Sequence, residues 1–111
     1  MSTPTDLTVP LSALSFQSDE AATAIAAEWN TTQIGVLLQT VIERHALAQL
    51  EDQSVHFVSV TYDVSAESAS GEDVQFSSRI DRKTRTLIFA SGTANQGPRH
   101  LLKATVVFRI A

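Results

Sequence analysis

Four strand-like runs follow one long apolar helix pattern in the second half of the chain. The helix pattern covers residues 31–50, and the runs cover residues 54–64, 73–81, 84–91 and 100–110. The short stretches between the runs are rich in glycine, asparagine and adjacent basic residues, which are typical of hairpin turns. The sequence therefore predicts an α+β fold in which a curved antiparallel sheet wraps around one long central helix.

The predicted helix is apolar on two sides. One helical face carries Ile34, Leu37, Leu38, Val41, His45 and Ala48, and a second strip carries Val36, Leu47 and Leu50. A helix of this kind needs cover on both sides. The sheet can cover one side, and a partner subunit or a bound apolar ligand would cover the other.

Each predicted strand alternates with a period of two. Its apolar side chains should therefore face the helix from one side of the sheet. In the first run, one face is assigned to Val58, Val60, Tyr62 and Val64. The opposite face is assigned to Val55, Phe57, Ser59, Thr61 and Asp63.

The first thirty residues give a weaker pattern. Residues 1–6 are polar and are expected to be frayed, while residues 7–16 suggest an edge strand or an irregular lead-in. Residues 20–29 stay open between helix and strand, because the alanines favour a helix but Ile25 and Trp29 could point inward from a strand. Asn30, followed by two threonines and Gln33, is a good helix start.

Length and composition place the chain among ordinary globular proteins. Its 111 residues predict a single domain, 1–111, and 43% hydrophobic content argues against disorder. The absence of cysteine excludes disulfides and thiolate chemistry. No apolar run has the length of a membrane span and no secretory signal is recognisable, so a cytoplasmic location with no membrane partner is expected.

The charges are divided unevenly along the chain. Eleven of the twelve acidic residues lie in 1–78, and seven of the eight basic residues lie in 79–111. The turn with Arg82, Lys83 and Arg85 is the best anion candidate, and Arg99 belongs to a second, smaller patch. These charges are either a phosphate site or solvated turn residues. Nucleic acid is a poor candidate, because the sequence pI is about 5.2 and few aromatics lie near the basic residues.

The sequence lacks the motifs of several common metal, phosphate and nucleophile sites. The three histidines lack metal-ligand spacing, no glycine-rich phosphate loop occurs, and no serine lies in a nucleophile elbow. No metal and no cofactor is therefore predicted. His45 is interpreted as a hydrogen-bonded core or interface residue, and Trp29 and Tyr62 as packing residues.

Three polar residues of the helix are candidates for chemistry. Gln39 and Glu43 are four residues apart, so they lie one turn from each other on one flank, either as solvated residues or as groups that orient water or act as a base. Asn30 is first a helix cap. Its side-chain amide, beside the helix N-terminus, could also polarise a carbonyl oxygen.

Residues 55–110 resemble the last four strands of hotdog-fold acyl-CoA thioesterases. The resemblance rests on the order of a strand, a turn in which Gly71 and Asp73 are similar to a Gly-Asp step, another strand, a basic hairpin reading RKTR, and a final strand pair. It covers about half of the chain, and the helix matches by position.

The resemblance implies a homodimer or homotetramer that holds an acyl-CoA or related thioester at a subunit interface. The basic residues Arg82, Lys83, Arg85 and Arg99 would bind the CoA phosphates, and Asn30 would polarise the carbonyl. The position of the family's reactive helix carboxylate falls on Gln39, which cannot accept a proton at neutral pH. Glu43, or Asp19 upstream, is the carboxylate that could replace it.

Three functions remain open at this point. The first is a thioesterase-like hydrolase in which Gln39 or Glu43 positions water. The second is a non-catalytic hotdog module that binds a ligand or only itself, as the missing helix carboxylate suggests. The third is another fold of helix and curved sheet, such as the cystatin-like or nuclear-transport-factor-like families.

Overall fold

The computed structural model describes residues 9–25, 29–69 and 71–111. Residues 1–6, predicted to be frayed, lie outside the described residues. In chain order, the regular elements are a 3-10 turn at Leu11–Ala13, β1 at Leu14–Ser18, β2 at Ala21–Ala24, α1 at Thr31–Leu47, β3 at Val55–Val64, β4 at Val74–Lys83, β5 at Leu87–Gln96 and β6 at Arg99–Ile110.

The six strands form one antiparallel sheet in the order β1-β2-β4-β5-β6-β3. Two hairpins join β4 to β5 and β5 to β6, whereas β3 lies on the far side of β6 and so becomes an edge strand. The sheet curves around α1, and this confirms the predicted α+β architecture.

Side chains of α1 and of the inner sheet face make up the hydrophobic core. The helix buries Ile34, Gly35, Leu37, Leu38, Val41, Ile42, His45 and Ala46. The predicted main face is therefore right up to His45. Ala48 is exposed and lies just beyond the end of the helix, which stops three residues before the predicted Leu50.

The helix crosses the strands along one row of cross-strand partners. This row consists of Tyr62 on β3, Ala104 on β6, Gly92 on β5 and Ser78 on β4. Gly35 approaches the first of them, Ile42 the third and His45 the fourth. A helix rises about 15 Å over ten residues, and three strand spacings measure about 14 Å, so the helix matches the width of the row.

Gly92 lies in the middle of β5, where the helix comes closest to the sheet. A Cβ atom there would lie 2.6 Å from the carbonyl oxygen of Ser77 and 2.9 Å from two side-chain carbons of Ile42. The predicted end of this strand at Ser91 is therefore wrong, because β5 continues through the glycine to Gln96. Glycine inside a strand usually weakens it, but at residue 92 the missing side chain leaves room for Ile42 of the helix.

A β-bulge changes the faces of β3. The register between β3 and β6 shifts between Phe57 and Ser59, so Val58 is the extra residue. Phe57 pairs with the buried Phe108, and their ring centroids are 4.9 Å apart. Phe57 thus shares the inner face with Val60, whereas Val58 is 60% exposed. The predicted alternation through Val58 is wrong because one residue was inserted into the ladder.

Residues 21–24 form a strand, which resolves part of the ambiguous segment. β2 pairs with β1 on one side and β4 on the other, and it buries Ala22 and Ala24. Ile25 is 68% exposed, so it does not point inward as the strand alternative suggested. Trp29 packs against the core, and residues 26–28 lie outside the described residues.

Candidate functional site

Asn30 caps the N-terminus of α1. Its side-chain oxygen accepts a hydrogen bond from the Gln33 backbone N–H at 2.8 Å, and the Gln33 side chain accepts one from the Asn30 backbone N–H at 2.9 Å. This reciprocal capping box fixes the first turn of the helix. Among the described residues, only the oxygen of the Asn30 amide has a partner, so its N–H₂ group can still donate to a ligand.

A polar cavity of about 540 Å³ opens beside this helix end. Its lining residues are Trp29, Asn30, Thr31, Thr32, Glu67 and Ser68. The Ser68 hydroxyl donates to the Trp29 carbonyl oxygen, and the buried Gln96 side chain bonds the backbone of Ala69 in both directions. These contacts hold the segment after β3 against the start of α1, so the polar cavity has ordered walls.

An apolar pocket of about 260 Å³ shares two residues with that cavity. It is lined by Thr31, Thr32, Gly35, Val36, Tyr62, Val64 and Leu102. Val36 belongs to the second apolar strip of the helix, and Val64 and Tyr62 belong to the edge strand β3. The pocket therefore lies between the helix N-terminus and the free edge of the sheet.

Tyr62 connects this pocket to Gln39. The Tyr62 hydroxyl donates a 2.6 Å hydrogen bond to the side-chain oxygen of Gln39 and lies 3.2 Å from the Gly35 carbonyl oxygen. Burial raises the pKa of the Tyr62 phenol above its ordinary value of 10.0. The phenol is thus a neutral hydrogen-bond donor over the physiological pH range.

Tyr62 and Gly35 are site residues that sequence reasoning missed. A Cβ at Gly35 would lie 3.3 Å from one Tyr62 ring carbon and 3.4 Å from another, so the ring packs directly on the helix backbone. The available signal was the glycine itself, because glycine inside a helix costs about 1 kcal/mol relative to alanine. Such a position indicates a close approach, although it does not tell which residue approaches.

Glu43 lies one turn beyond Gln39, about 6 Å farther along the helix axis. It is partly exposed and forms no ion pair with the other described residues. Its neighbour Arg44 instead lies 3.7 Å from Asp19 and stacks 3.8 Å from the Phe16 ring centroid. Asp19 is therefore engaged at the far end of the helix, away from the pocket residues of its first turn.

The basic candidates do not converge within one chain. Lys83 pairs with Ile88 near the start of β5, and Arg99 pairs with Gln96 at its end. Eight residues of antiparallel strand separate these positions by about 27 Å. Arg99 lies at the end of the sheet where Gln96 holds the wall of the polar cavity. The hairpin with Arg82, Lys83 and Arg85 lies at the opposite end.

His45 belongs to a separate buried cluster. Its Nδ1 lies 2.9 Å from the Ser78 hydroxyl, and its Nε2 lies 3.7 Å from a carboxylate oxygen of Glu20. The imidazole is 8% exposed, which fits the prediction of a hydrogen-bonded core histidine. The cluster joins α1 to β4 and to the turn before β2.

Metal and membrane features are not found in the described part of the chain. No three His, Cys, Asp or Glu side chains come close enough together there to hold a metal ion. None of its helices combines the length and apolar character of a membrane span.

Comparison with known proteins identifies the fold. Neither a protein-family model nor a curated protein matches the sequence. Solved structures do match in three dimensions, and the following three are thioesterases or bind CoA. A thioesterase from Haemophilus influenzae has a TM-score of 0.74 at 12% identity, over 88% of this chain and 76% of that chain.

A thioesterase family protein from Silicibacter pomeroyi has a TM-score of 0.73 at 15% identity, over 87% of this chain and 82% of that chain. A Bacillus halodurans protein solved with CoA has a TM-score of 0.72 at 14% identity. That match covers 82% of this chain but 66% of the other, just under two thirds of its length. The chain therefore has the hotdog fold that its sequence resemblance implies.

Proposed function

We propose that this chain binds acyl-CoA thioesters, with the acyl group in the apolar pocket beside the N-terminus of α1. The observation that carries the proposal is the pocket's position: it is apolar inside, and it shares Thr31 and Thr32 with a polar cavity at Asn30. An acyl group is apolar, whereas its thioester carbonyl and pantetheine chain are polar, so one ligand would match both parts. The CoA-bound neighbour of the same fold supports this ligand class.

The ligand site lies at an interface between two copies in this proposal. β3 is a ten-residue edge strand, and four of its apolar side chains are substantially exposed: Phe57, Val58, Tyr62 and Val64. Long apolar edges promote pairing with another strand. A two-fold axis beside β3 would pair the edges of two copies in antiparallel fashion and form a dimer.

Such a dimer would bring the basic groups together. Within one chain, the basic hairpin lies at the Val55 end of β3, since Val55 pairs with Ile110 and Leu87 pairs with Arg109. The pocket lies at the Val64 end. Antiparallel pairing would place the basic hairpin of one copy beside the pocket of the other, on the same side as that pocket's own Arg99. The CoA phosphates would then lie between two basic regions.

Hydrolysis is the activity proposed first for this site. A water oxygen would attack the thioester carbonyl carbon, the carbon–sulfur bond would break, and the carboxylic acid and the CoA thiol would leave after one proton passes to sulfur. Asn30 and the N-terminus of α1 would stabilise the negative charge on the carbonyl oxygen. Glu43 would remove the water proton, because Gln39 cannot. Since Glu43 is about 20 Å along the helix from Asn30 in the same chain, the base would be Glu43 of the second copy, brought across the β3 edge.

Turnover of an acyl-CoA panel tests hydrolysis. We would measure release of the CoA thiol from acetyl-CoA, octanoyl-CoA and benzoyl-CoA, for the wild type and for Glu43→Ala and Gln39→Ala. Activity that is lost with Glu43→Ala supports the mechanism. Lack of turnover with every thioester contradicts it, provided that the protein is folded.

Non-catalytic binding is the second candidate, and the contact between Gln39 and Tyr62 favours it. The side-chain oxygen of Gln39 is already occupied at 2.6 Å, so the residue at the family's reactive position can neither take a proton nor hold water by that oxygen. Calorimetry with the same thioesters and with free CoA separates the candidates. Binding without turnover supports this one, whereas turnover that depends on Glu43 excludes it.

The dimer interface has its own test. Val58→Lys places a charge on the exposed β3 edge, and Gln17→Lys places one on the opposite edge strand as a matched control. Sedimentation should give a dimer or tetramer for the wild type and Gln17→Lys, and a shift toward monomer for Val58→Lys. A monomeric wild type at micromolar concentration would refute the interface.

A further inference from the structure

The contact between Tyr62 and Gln39 decides which group of Gln39 a ligand can meet. The Tyr62 hydroxyl has one proton and two acceptors, and the Gln39 side-chain oxygen at 2.6 Å is closer to it than the Gly35 carbonyl oxygen at 3.2 Å. Gln39 makes no other side-chain hydrogen bond with the described residues. The Gln39 N–H₂ group, with two donors, is therefore the part of the side chain that remains available.

The Tyr62 ring is held in place by the helix and by its own strand. Its hydroxyl lies 3.2 Å from the Gly35 carbonyl oxygen, and the missing side chain of Gly35 allows the ring to pack on the helix. Tyr62 also lines the apolar pocket, as Gly35 does. The same ring thus closes part of the pocket wall and fixes the amide one turn farther along the helix.

We infer that Tyr62 is a positioning residue that holds Gln39 as a hydrogen-bond donor for the carbonyl oxygen of a bound acyl group. This inference rests on the proposed binding of an acyl-CoA and replaces Asn30 by Gln39 as the carbonyl donor, because about 14 Å of helix separates the two residues and one oxygen cannot meet both. A carboxylate at residue 39 would repel a carbonyl oxygen, whereas an amide N–H₂ attracts one. The site is therefore specialised for ligands with an acceptor at the acyl carbon, and it distinguishes a thioester from a thioether of the same length.

The experiment compares acetyl-CoA with S-ethyl-CoA, in which a methylene group replaces the carbonyl. Calorimetry gives the affinity ratio of the two ligands for the wild type, Tyr62→Phe, Gln39→Leu and Gln39→Glu. Gln49→Leu, two residues after the end of the same helix and away from the pocket, is the matched control. The ratio cancels general losses of folding or of CoA binding, which affect both ligands equally.

One neutral hydrogen bond predicts a preference of about fivefold to tenfold for the thioester in the wild type and in Gln49→Leu. Tyr62→Phe should reduce this preference to about twofold or less, because the freed Gln39 amide loses its fixed orientation. Gln39→Leu should abolish it and Gln39→Glu should reverse it. A Tyr62→Phe variant that weakens both ligands equally would show a merely structural tyrosine and overturn the inference.

The outcome also separates this inference from the proposed function. A wild type that binds both ligands equally well leaves acyl-CoA binding intact and refutes only the donor role of Gln39. A wild type that binds neither ligand refutes the proposed function, and the inference falls with it.

A second readout needs no ligand. Tyr62 is the only tyrosine in the chain, so phenolate absorbance reports its ionisation alone. Gln39→Glu should move the titration midpoint upward relative to the wild type, because a carboxylate opposes a phenolate at short distance, and Gln49→Leu should not move it. An unchanged midpoint in Gln39→Glu would show that the contact is absent in solution.

Discussion

Gly92→Ala tests whether the close approach of helix and sheet sets the position of the site. The added Cβ would lie 2.6 Å from the Ser77 carbonyl oxygen and 2.9 Å from two carbons of Ile42. Ordinary contacts between such atoms are about 3.5–4.0 Å. Ser77 is fixed by pairing between β4 and β5, so its oxygen cannot move without opening the ladder.

The expected cost follows from two opposing terms. Overpacking a core typically costs about 1–3 kcal/mol, and we expect the upper end of this range because one of the clashing atoms belongs to the backbone. Replacing glycine by alanine in a strand returns about 0.5–1 kcal/mol of conformational free energy. The net loss in the free energy of unfolding is therefore about 2 kcal/mol, or about 8 °C in the melting temperature for a domain of this size.

Gly35→Ala is the matched control for this change. The three atoms nearest to its Cβ all belong to the Tyr62 side chain, at 3.3 Å or more, and Tyr62 is 38% exposed and can shift. The gain in helix propensity is about 1 kcal/mol, so we expect a stability equal to or above that of the wild type. The shifted ring should, however, weaken thioester binding.

Urea denaturation of the two variants checks the prediction. We expect the free energy of unfolding to decrease for Gly92→Ala and not to decrease for Gly35→Ala. Equal effects for the two substitutions would refute the reasoning, because they would show that the distance to a fixed backbone oxygen does not decide the outcome. A double variant that also carries Ile42→Val should recover part of the loss, since it removes Cδ1, one of the two clashing side-chain carbons, but leaves Cγ1 and the backbone clash.

Three further predictions concern other parts of the chain. Ser78→Ala should lower the free energy of unfolding by about 1–3 kcal/mol in urea denaturation, because it leaves Nδ1 of the buried His45 without its partner; an unchanged value would contradict this role. Because the pKa of Tyr62 is raised in the folded protein, the neutral phenol contributes its full stabilising effect below pH 10, and this effect is lost as the pH rises through the folded-state pKa. Melting temperatures should therefore fall above pH 10, and Tyr62→Phe should weaken that pH dependence. Arg85→Ala should weaken binding of free CoA by about threefold at low salt and by less at high salt. Arg79 is already paired with Asp81 at 2.7 Å, so Arg79→Ala should have little effect on CoA binding. Equal effects of the two substitutions would count against the role of Arg85 in binding phosphate.

The helix and its buried face could be read from the sequence because both depend on local spacing. The start of α1 follows from Asn30 and Gln33, which are three residues apart and form the capping box. The apolar period of 3.6 residues placed the buried face up to His45. The strand faces of β4 and β6 follow from simple alternation for the same reason.

The bulge in β3 and the true length of β5 could not be read in this way. Both depend on a partner that is distant in sequence, because Val58 becomes the extra residue only against β6, and Gly92 is tolerated in β5 only because Ile42 fills the space above it. The same dependence on residues distant in sequence explains why only part of the candidate site could be predicted. Asn30 became a candidate as a helix cap, and Gln39 through its spacing to Glu43 and the family resemblance. Tyr62 lies 23 residues from Gln39 and meets it only after β3 has packed on α1.

On the helix of one chain, the candidate base Glu43 and the candidate carbonyl-polarising residue Asn30 lie too far apart to act on the same thioester. A general base must lie about 2.6–3.2 Å from the atom whose proton it removes, so Glu43 can serve only a water held near its own turn. A carbonyl next to Asn30 is about three and a half turns of helix, close to 20 Å, from that point. The dipole and the free amide groups of the helix N-terminus act within the first turn, so a pose that suits Glu43 gives up their stabilisation. Gln39 lies between these extremes and offers donors instead of a base. In the proposed function, one chain alone would therefore hold the thioester without cleaving it, and hydrolysis at the Asn30 end would require a base that a second copy brings across the β3 edge.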